Sequence, residues 1–136
     1  MTGENPERLG GCLCGAVRYR AEGPVLYATH CHCTLCRRAS GAPLVSWATF
    51  PADGFHIVRG EPTCYASSPV AQRRFCPTCG TQITFQRRDR LREIDLTIAS
   101  LDQPERVVPT NHTWVRSRLP WLHVDGHLPC FEGDPV

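Results

Sequence analysis

Lysine is absent from this chain of 136 residues, and all 15 of its Lys-plus-Arg positions are arginine. That excludes any mechanism built on a Schiff-base lysine. Excess charge is scarce too. The formal net charge is +2, too small to imply a nucleic-acid partner by itself, so nucleic acid is not expected among the partners. No apolar run approaches the length of a membrane span. No apolar segment of the secretory kind follows Met1, where the sequence reads MTGENPERLGG. The expectation is a cytoplasmic protein in a reducing compartment, without membrane contact. Nothing in the sequence marks an oligomeric state.

What the chain has in plenty is cysteine, nine in all. An odd count in a reducing compartment favours metal binding over a disulfide framework. The spacing favours it further. Cys31-His32-Cys33-Thr34-Leu35-Cys36 packs three thiols into one short stretch, and Cys12 with Cys14 and Cys76 with Cys79 form two close pairs. Two pairs supply the four ligands of a closed tetrahedral zinc site, whereas three ligands leave one position open. The expectation is two Zn2+ ions per chain with different jobs.

The remaining pattern is that of a mainly β domain with short helical turns. Residues 1–8 read as a flexible lead, extending in the backbone reading to Gly10. Residues 9–130 read as a single zinc domain and 131–136 as a C-terminal tail. Between Ala16 and Arg20, Val17 and Tyr19 alternate with Arg18 and Arg20, as in a half-buried strand. Further strands are expected at Val25–Thr29, Leu44–Phe50, Phe55–Arg59 and Thr63–Ala66. Thr34–Ser40 reads as one or two helical turns stopped by Gly41. Arg73–Phe85 reads as a hairpin with Cys76-Pro77-Thr78-Cys79-Gly80 at its tip. Ile94, Leu96 and Ile98 alternate cleanly with Glu93, Asp95 and Thr97. The segment from Pro109 onward reads as a surface wrap without regular structure.

Each half of the closed site has a local rationale. A tight turn between Cys76 and Cys79 aims both sulfurs at one point, and Gly80 lets the backbone curl beneath them. Cys12 and Cys14, placed on a strand, would share a face. At the open site, a metal held by Cys31, Cys33 and Cys36 would lower the pKa of a bound thiol and polarise a carbonyl oxygen. Two other readings stay open. Cys64, Cys130, His30, His32 or His112 could close the site as a fourth ligand, or Cys33 and Cys36 could cycle as a redox pair. Arg37 and Arg38, next to this stretch, could hold a substrate carboxylate. His112 could move a proton, with Trp114 beside it, and His30 and His32 could orient the thiolates. Arg73-Arg74 and Arg87-Arg88-Asp89-Arg90 read as exposed faces.

Three segments together resemble the glutathione-dependent formaldehyde-activating enzyme family, also called the GFA or CENP-V domain family. They are Gly11-Cys12-Leu13-Cys14-Gly15-Ala16-Val17-Arg18-Tyr19, Cys31-His32-Cys33-Thr34-Leu35-Cys36-Arg37-Arg38 and Cys76-Pro77-Thr78-Cys79-Gly80-Thr81. Ser40-Gly41-Ala42-Pro43 and His112-Thr113-Trp114-Val115-Arg116-Ser117 resemble it as well, so that the likeness runs from about Leu9 to Pro129. The resemblance implies a zinc-stabilised β-sheet domain of the Mss4-like kind. It implies Cys12, Cys14, Cys76 and Cys79 as structural zinc ligands and Cys31, Cys33 and Cys36 as catalytic ones. The activity it implies joins formaldehyde to glutathione as S-hydroxymethylglutathione, formally a carbon–sulfur lyase reaction in reverse. The substrates expected are thus a small thiol and an aldehyde. The alternative is a non-catalytic zinc module for a protein or nucleic-acid partner.

Overall fold

A computed structural model describes residues 7–124 and 126–135. The expected lead over residues 1–8 therefore falls mostly outside the described residues, as does Val136 of the expected tail. The elements are β1 (Arg8–Gly11), β2 (Arg18–Ala21), β3 (Tyr27–Cys31), α1 (Thr34–Ser40), β4 (Val45–Pro51), β5 (Phe55–Arg59), β6 (Thr63–Ser68), β7 (Ala71–Phe75), β8 (Gln82–Arg87), β9 (Glu93–Thr97) and β10 (His112–Thr113). Short 3-10 turns follow β4, β9 and β10. The protein is mainly β, as its alternating strands predict. Among the described residues no helix is long and apolar enough to cross a membrane.

The strands form two sheets. One holds β1-β2-β5 and the other β10-β3-β4-β9-β8-β7-β6. All pairs are antiparallel except β10 with β3. The small sheet covers one face of the large one. Between them lie Val17, Tyr19 and Ala21 from the β2 region, Phe55 from β5, Ala48 and Phe50 from β4, Ile83 from β8, and Ile94 and Leu96 from β9. These are the apolar halves of the alternating runs, and burying them is the dominant favourable term in folding. Tyr19 is fully buried, and its hydroxyl shares a 2.7 Å hydrogen bond with Ser100 Oγ. The opposite face of the large sheet carries a second cluster of Cys31, Cys36, Val45 and Trp47, joined by Cys33, Phe85 and Trp114.

Two backbone expectations need correction. Arg8–Gly11 is not part of a lead but a strand paired with β2, in the register Arg8↔Ala21 to Gly11↔Arg18. Its glycines hid it, because strand propensity is low there. The segment after Pro109 is not only a wrap. His112 and Thr113 add a parallel edge strand to β3, and Phe131 N–H donates to His112 O at 2.8 Å. Residues 131–134 stay tied to this edge through Val115 N–H to Phe131 O (2.9 Å), Trp114 N–H to Gly133 O (3.2 Å) and Trp114 Nε1–H to Asp134 Oδ1 (3.0 Å).

Candidate metal centres and an adjoining cavity

Cys12 and Cys14 sit in the turn between β1 and β2 rather than on a strand. Gly15, at φ +81°, closes this turn with its N–H on Cys12 O (3.2 Å). Cys76 and Cys79 sit in the turn between β7 and β8, closed the same way by Gly80 at φ +82° with its N–H on Cys76 O (2.8 Å). Only glycine enters this left-handed region without strain. The two turns are therefore equivalent devices, one from each sheet. The shared face expected for Cys12 and Cys14 comes from a turn, not from strand alternation.

The turns bring four sulfurs together, all within 4.8 Å of one another. Cys12 Sγ lies 3.7 Å from Cys14 Sγ, and Cys14 Sγ lies 3.8 Å from Cys76 Sγ. Metal–sulfur bonds of about 2.3 Å in a tetrahedron place sulfurs about 3.8 Å apart, so the cluster has the size that zinc requires. Backbone N–H groups already point at the sulfurs: Val17 at Cys12 (3.2 Å), and Thr78 (3.4 Å) and Cys79 (3.5 Å) at Cys76. The Thr81 hydroxyl hydrogen-bonds the Cys79 sulfur (3.2 Å) and holds its thiol down to about 5. Donors facing sulfur stabilise thiolates, the form that binds metal.

The second cluster is Cys31, Cys33 and Cys36, again within 4.8 Å of one another. Cys31 ends β3. Cys33 is the N-cap of α1, and its sulfur accepts the Cys36 N–H at 3.2 Å. The helix ends at Gly41, φ +71°, with its N–H on Arg37 O, as the sequence predicts. Hydrogen bonds from the Cys31 and Cys36 thiols hold Cys33 down to about 2, and the Cys31 thiol is pushed up by Cys33 and Cys36. Three close sulfurs cannot all ionise unaided, and a divalent cation removes that conflict. Among the described residues the group stops at three. Cys64, Cys130, His30, His32 and His112 lie outside it, and all nine cysteines are free of disulfides.

The two clusters differ in their surroundings. The three-cysteine group opens into a cavity of about 740 Å3, lined also by Tyr27, Thr29, Trp47, Thr49, Phe85, Asp95 and Trp114, whereas none of the four-cysteine residues lines it. That volume lies in the range of small-molecule sites. Trp114 takes a left-handed backbone, φ 58°, alone among the described non-glycine residues. Such a conformation costs about 1–3 kcal/mol and collects at functional sites.

Several side chains stand elsewhere than the sequence suggests. Arg73 is not on an exposed face: it is 4% exposed and lines the cavity. Its Nη2 donates to Cys36 Sγ at 3.6 Å, and its guanidinium lies 4.8 Å from the Phe85 ring centre and 5.9 Å from that of Trp47. Arg74, next along the strand, points the other way, over Phe55. Arg87 is paired with Asp89 at 2.9 Å. Arg37 lies outside this cavity. It donates to Ser117 O at 3.2 Å and, with Arg38 and Trp121, lines a separate hollow. His112 lies outside it too. It is buried, stacked on His30 at 4.9 Å, with its Nδ1 3.0 Å from His32 Nε2. In the sequence Asp95 reads only as the polar half of an alternating strand. Its presence in the cavity follows from strand order, which no local pattern reveals.

Residues 7–117 match the family model described as glutathione-dependent formaldehyde-activating enzyme. The chain belongs to that family. A Schizosaccharomyces pombe protein named an uncharacterized lyase is 37% identical over 84 residues, which span 59% of this chain and 58% of that protein. A Halomonas elongata protein, provisionally named a glutathione-dependent formaldehyde-activating enzyme, is 28% identical over 143 aligned positions covering 93% of this chain and 87% of its own length. A crystal structure of a Rhodobacter sphaeroides protein superposes with a TM-score of 0.61 at 32% identity, over 77% of this chain and 99% of the other. The chain thus shares its sequence family with proteins named for lyase and formaldehyde-activating chemistry, and both cysteine clusters are suited to metal.

Proposed function

We propose that this protein is a zinc-dependent carbon–sulfur lyase-type enzyme. It adds a small thiol, such as glutathione, to an aldehyde such as formaldehyde, or releases the two again. The observation that carries this reading is a sulfur cluster that, among the described residues, stops at three and opens into a cavity of ligand size. In this reading Cys12, Cys14, Cys76 and Cys79 would hold a structural Zn2+, and Cys31, Cys33 and Cys36, which line the cavity, would hold a second one. Zinc bound there supplies a Lewis acid and lowers the pKa of a thiol at the open position.

The chain's own residues do the rest. Arg73 holds the Cys36 sulfur and fixes a positive charge beside the cluster. Trp47, Phe85 and Trp114 supply apolar walls that exclude water. Arg90 and Arg116 line the same cavity, together with the acids Glu93, Asp95 and Asp134, and offer cations to a substrate carboxylate. A thiol carrying carboxylates suits that lining.

The test begins with zinc per chain, measured by elemental analysis under reducing conditions. Two per chain is expected. Cys33→Ser should keep the fold and one zinc and lose thiol-plus-aldehyde activity. Full activity of Cys33→Ser would remove the three-cysteine centre from the mechanism. No zinc in freshly purified, reduced protein would overturn the reading altogether.

A further inference from the structure

Addition of a thiol to an aldehyde moves a proton as well as a bond. The sulfur–carbon bond forms, the carbonyl π pair passes to oxygen, and that oxygen must gain a proton. The thiol must lose one. The reverse reaction needs a base at the same oxygen. A group that serves must line the cavity, change protonation near neutrality and be free of a permanent partner charge.

Strand register lays one row of side chains across the cavity floor: Tyr27 on β3, Thr49 on β4, Asp95 on β9, Phe85 on β8 and Arg73 on β7. Asp95 stands at the centre of the large sheet, flanked by β4 and β8. It accepts a hydrogen bond from the Thr49 hydroxyl at 2.5 Å. Among the described residues it forms no ion pair. Asp95 is half-buried; a carboxyl withdrawn from water normally has a cation beside it, and here the aromatic ring of Phe85 separates it from Arg73. Glu93, two residues along β9, also lines the cavity but sits at the end of the strand beside Pro51, outside the row that joins Thr49 to Phe85; two other acid groups of the lining are engaged. Asp134 accepts the Trp114 indole N–H, and the Tyr27 hydroxyl is held by Asn111 and pushed further from neutrality by burial. The histidines His30, His32 and His112 do not line the cavity.

Resting on the thiol–aldehyde reading above, we propose that Asp95 is the residue that moves this proton. Its carboxyl delivers a proton to the carbonyl oxygen as sulfur bonds to carbon. Its carboxylate then takes up the proton released by the thiol, which returns Asp95 to its starting state. In the reverse direction the carboxylate removes the hydroxyl proton as the carbon–sulfur bond breaks. Electrons and protons balance without an oxidant or reductant.

The surroundings tune the group to this work. Burial, the largest influence, raises Asp95 from 3.8 to about 6. Glu93 on its own strand and Cys36 on α1 push the same way, whereas the Thr49 hydroxyl and Arg90 pull it down. Arg73 lies beyond Phe85, and Arg87 is engaged by Asp89.

The experiment uses the zinc-loaded protein, with formaldehyde and glutathione as first probes. Asp95→Asn keeps the shape and an acceptor for Thr49 but cannot relay a proton. It should keep both zincs and lose roughly 10²–10⁴-fold in kcat. Wild-type kcat for addition should fall as pH rises through about 6, and kcat for the reverse release should rise through the same value. Thr49→Val removes the donor that favours the carboxylate, so it should move both limbs to higher pH. If Asp95→Asn loses zinc, the Thr49→Val shift decides. An active wild type whose Asp95→Asn variant stays within threefold, or a Thr49→Val profile that does not move, would overturn the role of Asp95. A wild type that is inert with every thiol and aldehyde tried would instead overturn the reaction itself.

Discussion

Arg73 and Asp95 are opposite charges on one sheet face that never meet, and each carries a measurable consequence. Arg73 donates to the sulfur of Cys36 while its guanidinium packs against the Phe85 ring, with Trp47 alongside. Groups that donate to a metal's ligands typically contribute 10–100-fold in metal affinity. Arg73→Met should keep the stack's apolar bulk and lose the donor. Its zinc affinity should fall about 10–100-fold at the three-cysteine centre and not at the other, as read by competition with a chromogenic chelator. Lysine should not rescue it fully, because an ammonium lacks the planar fork that packs against a ring and donates sideways. For Asp95 the measurable quantity is stability. Its carboxyl holds a proton more tightly in the folded protein, at about 6, than in the unfolded chain, at 3.8. The folded state is therefore favoured below 3.8, and that contribution is lost as pH climbs from 3.8 through about 6. Asp95→Asn should melt higher than wild type at pH 8, with the difference fading toward pH 4 in thermal melts across that range. A more stable and less active variant is the pattern expected where function holds a charge in an unfavourable place.

Hairpin turns, not strands, carry the four-cysteine cluster, and only one of the two turns has a local signature in the sequence. Cys76-Pro77-Thr78-Cys79-Gly80 was legible because the turn residues and the thiols lie within one short stretch. The Cys12 pair was equally legible as a pair, but its setting was not, since Gly10 and Gly11 hide the β1 strand that makes Cys12–Gly15 a turn. Alternation in β9 separated Ile94 and Leu96 from Glu93 and Asp95. It did not say that the polar side faces a cavity rather than bulk water. That depends on β9 lying between β4 and β8, a matter of long-range register. Arg73 and Arg74 show the same limit, because adjacent arginines on a strand must face opposite ways and sequence does not say which faces inward. The turns can be tested directly. Gly80 sits at φ +82° with open space where a Cβ would go. Gly80→Ala therefore meets backbone strain and no clash, about 1–2 kcal/mol. The expected result is a modestly lower melting temperature and faster zinc loss from the four-cysteine centre, with the three-cysteine centre unchanged.

Taken whole, the molecule is two sheets that meet at the four-cysteine cluster, with a cavity on the far face of the larger sheet. That cluster ties the β1–β2 turn of the small sheet to the β7–β8 turn of the large one. Surface ion pairs do not substitute for it. Arg18–Asp102 leaves side chains 31% and 46% exposed, and such pairs contribute about 0–1 kcal/mol. A structural zinc contributes on the order of 10 kcal/mol at neutral pH in small zinc domains. The three-cysteine cluster lies within one local stretch, β3 to α1, and joins no distant parts of the chain. The two centres should therefore fail differently. Cys79→Ser should lower the melting temperature by more than about 10 °C, on the scale of a few degrees per kcal/mol for a domain of this size. Cys33→Ser should move it by no more than a few degrees while abolishing turnover. A chelator added slowly to wild type should accordingly extinguish activity before it unfolds the protein, because a centre with three protein ligands leaves a position for the chelator's donor atom, whereas four sulfurs fill the other. Loss of both together would mean that the two sites share one structural job and that the open centre is not a separate reactive one.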